Sequence, residues 1–232
     1  MTARAYVPPA SRATLASAHL QATGSSAISR MMAAAAKQRA AGSKVVGMHV
    51  GEPDFDTPEH VRAAAAAAIE RGETHYTAVD GSPAMKDAVR SKYAAAGIDF
   101  TRDEVVIGAG AKLLLFAAFL ATLEPGDEVI VPAPYWGSYV DIIEMLLAEP
   151  VIVETKQEDG FLLQPEALAA AITDRTRWVV FNSPSNPSGA VYQREDYGPV
   201  LDVLSGQEHV CVLADDMYEH IVHGDTEFVT PL

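Results

Sequence analysis

What most constrains this chain is an alternation that begins near residue 104. Short apolar runs rich in β-branched residues, at 104–107, 128–131, 151–154, 178–181 and 210–214, take turns with helix-like segments at 111–123, 138–147, 165–172 and 194–204. The runs show no polar alternation, so each reads as a strand covered on both faces. Strand–helix alternation of that kind predicts an α/β fold: a doubly wound, mostly parallel sheet. The chain's 232 residues allow one large core, or one full domain with part of a second. In a sheet of this class, ligands bind outside the carboxyl ends of the strands. The residues directly after each run are therefore the ones to read.

Upstream of the alternation, residues 29–41 read as a helix ending at Gly42, in the αL position that glycine favours. An apolar segment at 44–50 leads into Gly51-Glu52-Pro53-Asp54-Phe55, too rich in turn formers to be regular. Thr57-Pro58-Glu59 predicts a helix start, with a capping hydroxyl, a proline at the first helical position and an early acid. That helix ends before Gly72, and its alanine run at 63–68 reads as a packing face. A further helix opens at Ser82-Pro83 and closes at Gly97. The first 27 residues read as a loose arm.

The formal net charge of -14 argues against general affinity for nucleic acid or for an anionic membrane. A local anion site needs only a few donors and is compatible with it. Cys211 is the only cysteine. In its apolar run it reads as a small buried hydrophobe, and no disulfide can form within one chain. No secretory signal or spanning segment is evident, so a soluble cytoplasmic protein is the expectation.

Four strand ends carry chemistry. Gly108-Ala109-Gly110-Ala111-Lys112-Leu113 opens a helix behind a glycine turn. Its free N–H groups and positive dipole end form an anion cradle, although a merely tight turn would look the same. The spacing fits neither a dinucleotide fingerprint nor a P-loop. Pro134-Tyr135-Trp136 places aromatic rings after the second run, for ring stacking or for capping the core. Asn182-Ser183-Pro184-Ser185-Asn186-Pro187-Ser188-Gly189 follows the fourth. Its X-Pro steps favour an extended loop, with Asn186 either held out for a ligand or closing an Asn-Pro turn. Asp215-Asp216-Met217-Tyr218 follows the fifth. A carboxylate there is costly without a cation, and a protonated heterocyclic nitrogen would serve; a helix cap is the alternative.

Taken in order, Gly51 to Phe55, His75-Tyr76-Thr77, Gly110-Ala111-Lys112, Pro125 to Val129, Pro134-Tyr135-Trp136, Asn182 to Gly189 and Asp215 to Tyr218 resemble the class I/II aminotransferases of the aspartate aminotransferase fold. The resemblance covers about residues 28–228. It implies a bound pyridoxal 5′-phosphate, with Asp215 pairing the pyridinium nitrogen and Trp136 stacked on the ring. Asn186 and Tyr218 would bind the phenolic oxygen, and Gly110, Ala111 and Lys112 the phosphate. Gly51 would lie beside the substrate carboxylate. Tyr76 would reach the phosphate of a neighbouring subunit, which implies a homodimer. In this family's terms, 28–50 begins a small domain and 51–232 belongs to the cofactor-binding large domain. The implied reaction transfers an amino group between an α-amino acid, aspartate-like, and a 2-oxo acid.

The sequence departs from the family's pattern at Asp216, usually Glu, and at Leu113. The family's Schiff-base lysine lies beyond the Asp215–Tyr218 motif, whereas Lys37, Lys44, Lys86, Lys92, Lys112 and Lys156 all precede it. The expectation is a truncated chain, inactive alone. A carbon–sulfur lyase of the same fold and a non-catalytic domain are the alternatives. His220 and His223 have metal-ligand spacing but no evident third ligand.

Overall fold

The computed structural model describes residues 27–48, 51–53 and 55–232. The arm expected over residues 1–27 lies outside them except for its last residue, as do residues 49 and 50 and Asp54. Among the described residues, three helices come first: α1 (Ala27–Ala40), α2 (Glu59–Glu70) and α3 (Pro83–Ala95). The alternation follows as α4 (Ala111–Thr122), β1 (Glu128–Ala133), α5 (Ser138–Met145), β2 (Glu149–Glu154), α6 (Pro165–Ala171), β3 (Thr176–Asn182), α7 (Arg194–Ser205) and β4 (Cys211–Asp215).

The four strands form one parallel sheet in the order β2-β1-β3-β4. Successive residues of a strand face opposite sides, and the core divides accordingly. Val129, Val131, Val180 and Leu213 pack with Leu115 and Phe119 of α4 and Ile142 and Ile143 of α5. Ile130, Val153, Val179 and Phe181 pack with Leu168 of α6 and Val200 and Leu204 of α7. Helices thus cover both faces, and the sheet is doubly wound. Phe119, Ile130 and Leu168 are fully buried, each contributing about 2 kcal/mol through apolar burial.

Strand order reverses between β1 and β3. The β1–β3 ladder ends at Ile130–Val179, while β1–β2 continues to Ala133–Glu154 and β3–β4 to Asn182–Asp215. A crevice therefore opens between the carboxyl ends of β1 and β3, the switch point at which such sheets bind ligands. A small cavity there is lined by residues that include Val131, Tyr135, Tyr139, Asn182 and Asn186.

Three expectations are corrected. Residues 104–107 are not a strand: Arg102–Glu104 is a single 3-10 turn, and 105–107 join no ladder among the described residues. At 102–104 the cause is local, because Thr101-x-x-Glu104 forms a reciprocal cap in which the Thr101 N–H donates to Glu104 Oε2 over 2.7 Å. Thr57 does not cap α2. Pro58 occupies the cap position, without a side-chain hydrogen bond, and its carbonyl accepts from Val61 and Arg62. Cys211 is exposed rather than buried, because it opens β4, an edge strand that pairs only with β3 among the described residues.

Helix α3 starts as read, with Ser82 accepting from the Met85 N–H and Pro83 at the first position. The alanine face of α2 buries no residue among those described, so the packing expected of it is not provided here. Among the described residues, no helix is long and apolar enough to cross a membrane.

Candidate cofactor site

The site is built at the switch point, on the carboxyl ends of β1, β3 and β4 and the first turn of α4. Asp215 closes β4 and is half-buried. Its Oδ2 accepts from the Tyr139 hydroxyl at 2.5 Å and its Oδ1 from the Met217 N–H at 3.3 Å. No cation pairs with it among the described residues. The carboxylate is held by neutral donors and keeps lone pairs for an incoming N–H. Burial raises the Tyr139 phenol well above its ordinary value, and the charge of Asp215 raises it further. Tyr139 therefore remains a donor, never a second anion. Asp216 turns away toward Thr230, and burial raises its carboxyl, with Glu219 and Asp215 adding to the effect.

Asn182 ends β3 opposite Asp215 and ties the two loops together. Its Nδ2 donates to the Asp215 carbonyl at 2.8 Å, and its Oδ1 accepts from the Asn186 N–H at 2.7 Å. Asn186 is thereby turned so that its Nδ2 lies 3.5 Å from the Tyr218 hydroxyl, at the long limit of a hydrogen bond. An amide N–H and a phenol O–H converge there, a pair suited to one shared acceptor oxygen. The Ala133–Pro134, Ser183–Pro184 and Asn186–Pro187 peptides are cis.

Trp136 meets Tyr139 edge to face, with ring centroids 5.3 Å apart, so the phenol that holds Asp215 also braces the indole. The Lys112 ammonium stands 4.8 Å from the Trp136 ring centroid, within cation–π range. Gly110 precedes α4 with φ +93 and open space beside it, and no side chain caps the helix. The first-turn N–H groups, Ala111 and Lys112 among them, are therefore available to an anion.

The structure thus brings together Trp136, Lys112, Asn186, Asp215 and Tyr218. Tyr76 is fully exposed, at 106%, and Gly51 is exposed on irregular chain; among the described residues, no hydrogen bond or ring contact joins either to the others. Sequence reading missed Tyr139 and Asn182. The signal for Tyr139 was its place three residues past Trp136, on the first turn of the following helix. For Asn182 it was a polar residue ending an otherwise buried strand. His220 pairs with Glu219 at 3.2 Å, and no group of three metal-ligating side chains occurs among the described residues.

Comparison with known proteins shows the family and the fold. The family model described as aminotransferase class I and II matches residues 43–231. The chain belongs to that family. This aminotransferase chain is similar to the aspartate aminotransferase of Rhizobium meliloti strain 1021, with 51% identity over 91% of this chain and 52% of that protein. It is 50% identical to an aspartate/prephenate aminotransferase of Cereibacter sphaeroides, over 83% of this chain and 48% of that one. The crystal structure of the Rhizobium meliloti aspartate aminotransferase superposes with a TM-score of 0.91 at 50% identity, covering 94% of this chain and 55% of that one. Aspartate aminotransferase from Thermus thermophilus with maleate gives a TM-score of 0.85 at 38% identity, over 92% and 56%. The chain spans about half the length of the curated relatives it matches.

Proposed function

We propose that this chain is the cofactor-binding portion of an aminotransferase that moves an amino group between an aspartate-like α-amino acid and a 2-oxo acid. The observation that carries the proposal is Asp215, a half-buried carboxylate without a cation partner among the described residues, held by the hydroxyl of Tyr139, whose ring meets Trp136 edge to face. The residues present fit pyridoxal 5′-phosphate. Asp215 would hold the protonated ring nitrogen, and Trp136 would cover one face of the ring. Asn186 and Tyr218 would share its phenolic oxygen, while the uncapped first turn of α4 (Gly110, Ala111, Lys112) would hold the phosphate. When bound, the cofactor supplies an electron sink for charge developing at the substrate's α-carbon. The protein's part is to keep a proton on the ring nitrogen, by placing a fixed anion against it, and to orient the ring from four sides.

Lys112 supports the acidic-substrate reading. Its backbone serves the anion turn, but its exposed ammonium has no carboxylate partner among the described residues and stands over Trp136. A substrate's second carboxylate would meet a cation there, and the relatives' names include aspartate and prephenate, both dicarboxylic acids. Gly51, exposed and without a side chain, would lie against the substrate's α-carboxylate. The fully exposed Tyr76 would complete the phosphate site of a second copy, making the working unit a homodimer.

The experiment is amino transfer from aspartate to 2-oxoglutarate by a protein carrying this chain at the length of its relatives. Transfer is expected, with Lys112→Met raising KM at least tenfold for aspartate and less than threefold for alanine. Absence of transfer from any amino acid would overturn the reading.

A further inference from the structure

We propose that Lys86 is a positioning residue for the anion turn, acting through Asp80 and Gly81 on Ile107. The inference rests on the reading of Gly110–Lys112 as the phosphate site.

The turn at residues 108–110 leaves a segment that joins no sheet ladder among the described residues. Something other than strand pairing must therefore fix the backbone just before it, and the structure shows what does. The Ile107 N–H donates to the Asp80 carbonyl at 2.9 Å. Gly81 lies against the same residue: a Cβ placed there would stand 2.6 Å from both Cβ and Cγ1 of Ile107, and φ at Gly81 is +110. Residue 107 is thus held by its backbone and its side chain at once, one residue before the turn begins. On the far side, Gly108 is seated on Leu114, whose Cδ2 is 2.7 Å from where a Cβ would lie.

Asp80, which precedes Gly81, is in turn held by Lys86. The residue is 5% exposed, although lysine is almost never buried unless its charge is met. The ammonium binds Asp80 Oδ2 and donates to the Arg102 carbonyl at 3.0 Å. It therefore bridges the segment before α3 to the 3-10 turn that leads into residues 105–107. Arg102 is fastened a second time, its guanidinium forking onto the Asp87 carboxylate of α3. One buried cation locks together the two chain segments that set the position of Ile107. A lysine that only anchored α3 would need no contact with Asp80, and Asp80 would not also carry the Ile107 N–H.

The test compares pyridoxamine 5′-phosphate with pyridoxamine, neither of which has an aldehyde to react with lysine amines. The readout is the ratio of the two affinities for the 232-residue chain, by isothermal titration; it isolates the phosphate's share of binding. In Lys86→Met the ratio is expected to fall at least tenfold while pyridoxamine affinity stays within twofold. Gly81→Ala, which forces a methyl into Ile107, carries the same expectation and stands in should Lys86→Met not fold. A folded variant of either kind with its ratio within twofold of the unmodified chain would overturn the proposal. An unmodified chain that shows no preference for the phosphorylated ligand would instead remove the phosphate-site reading, and this inference with it.

Discussion

Tyr139 donates its hydroxyl to Oδ2 of Asp215 over 2.5 Å, joining residues 76 positions apart in the chain. The bond crosses from the first turn of α5 to the end of β4. Tyr139 is itself 2% exposed, so its ring is fixed by packing before it fixes anything else. The carboxylate's direction is thus set by the core, the kind of support an electrostatic partner needs if it is not to reorganise on binding.

Tyr139→Phe keeps the ring and removes the hydroxyl. A hydrogen bond to a charged acceptor contributes about 1.5–3 kcal/mol, and half-burial of Asp215 places this one near the lower end. Pyridoxamine 5′-phosphate affinity is expected to fall about tenfold, measured by titration calorimetry, with a small drop in thermal stability. An unchanged affinity would show that Asp215 needs no such support.

At the opposite end of the strands, Glu128 is buried and accepts from the Thr173 hydroxyl at 2.6 Å and from Arg175. The Thr173 hydrogen bond, with help from Arg175, holds its carboxyl below the ordinary value. A depressed folded value means that the stabilisation is present above the unfolded value, about 4.3, and is lost as pH falls through the folded value. Arg175→Ala should destabilise the fold by leaving the Glu128 carboxylate short of its cation. It should also move the acid unfolding midpoint to higher pH, followed by circular dichroism. A midpoint at the same pH as the unmodified chain's would contradict this.

The alkaline limb follows from Tyr192, buried against Phe181 and Tyr197. Burial pushes its phenol up to about 12. A raised value means that the stabilisation is complete below the unfolded value, about 10, and is lost as pH rises from there toward 12. A two-unit shift corresponds to roughly 3 kcal/mol at its fullest. Urea midpoints should therefore fall between pH 10 and 12, with tyrosinate absorbance from Tyr192 appearing only as the chain unfolds. Tyrosinate signal from all eight tyrosines in the folded chain at pH 10.5 would be the contrary result.

Apolar side chains of α1, including Ile28, Met31 and Met32, are exposed, and the outer edge of β4 has no pairing neighbour among the described residues. Exposed apolar faces and open strand edges favour association. Sedimentation velocity on the 232-residue chain should show self-association, reduced in Met31→Glu/Met32→Lys. A strictly monomeric chain across the micromolar range would contradict this.

The strands of the sheet and the helices between them were legible because each pairs an apolar run with a clear start or stop. Ahead of the sheet, Ser82-Pro83 marks a helix start in the same way, and the Ser82 hydroxyl caps α3 as read. The extended segment 105–107 was over-read because its β-branched residues carry the strand signal, while pairing is a property of neighbours that a local pattern does not contain. The cap formed by Thr101 and Glu104 was there to be seen. Cys211 was misplaced for a similar reason, since an apolar run does not say which strand lies outermost. Trp136, Asn186, Asp215 and Tyr218 stood out because polar or aromatic residues ended apolar runs. The roles of Tyr139 and Asn182 were not legible, because each rests on a long-range hydrogen bond to the Asp215 residue, which only the fold brings into reach.

The most direct test of the central claim uses the chain's two tryptophans. In Trp178→Phe, Trp136 is the sole indole, and its emission reports a ring stacked upon it. Pyridoxamine 5′-phosphate should quench that emission saturably, at one ligand per chain, and Asp215→Ala in the same background should weaken the binding at least tenfold. Quenching that never saturates, or an affinity that Asp215→Ala leaves untouched, would contradict the assignment of this crevice as the cofactor site.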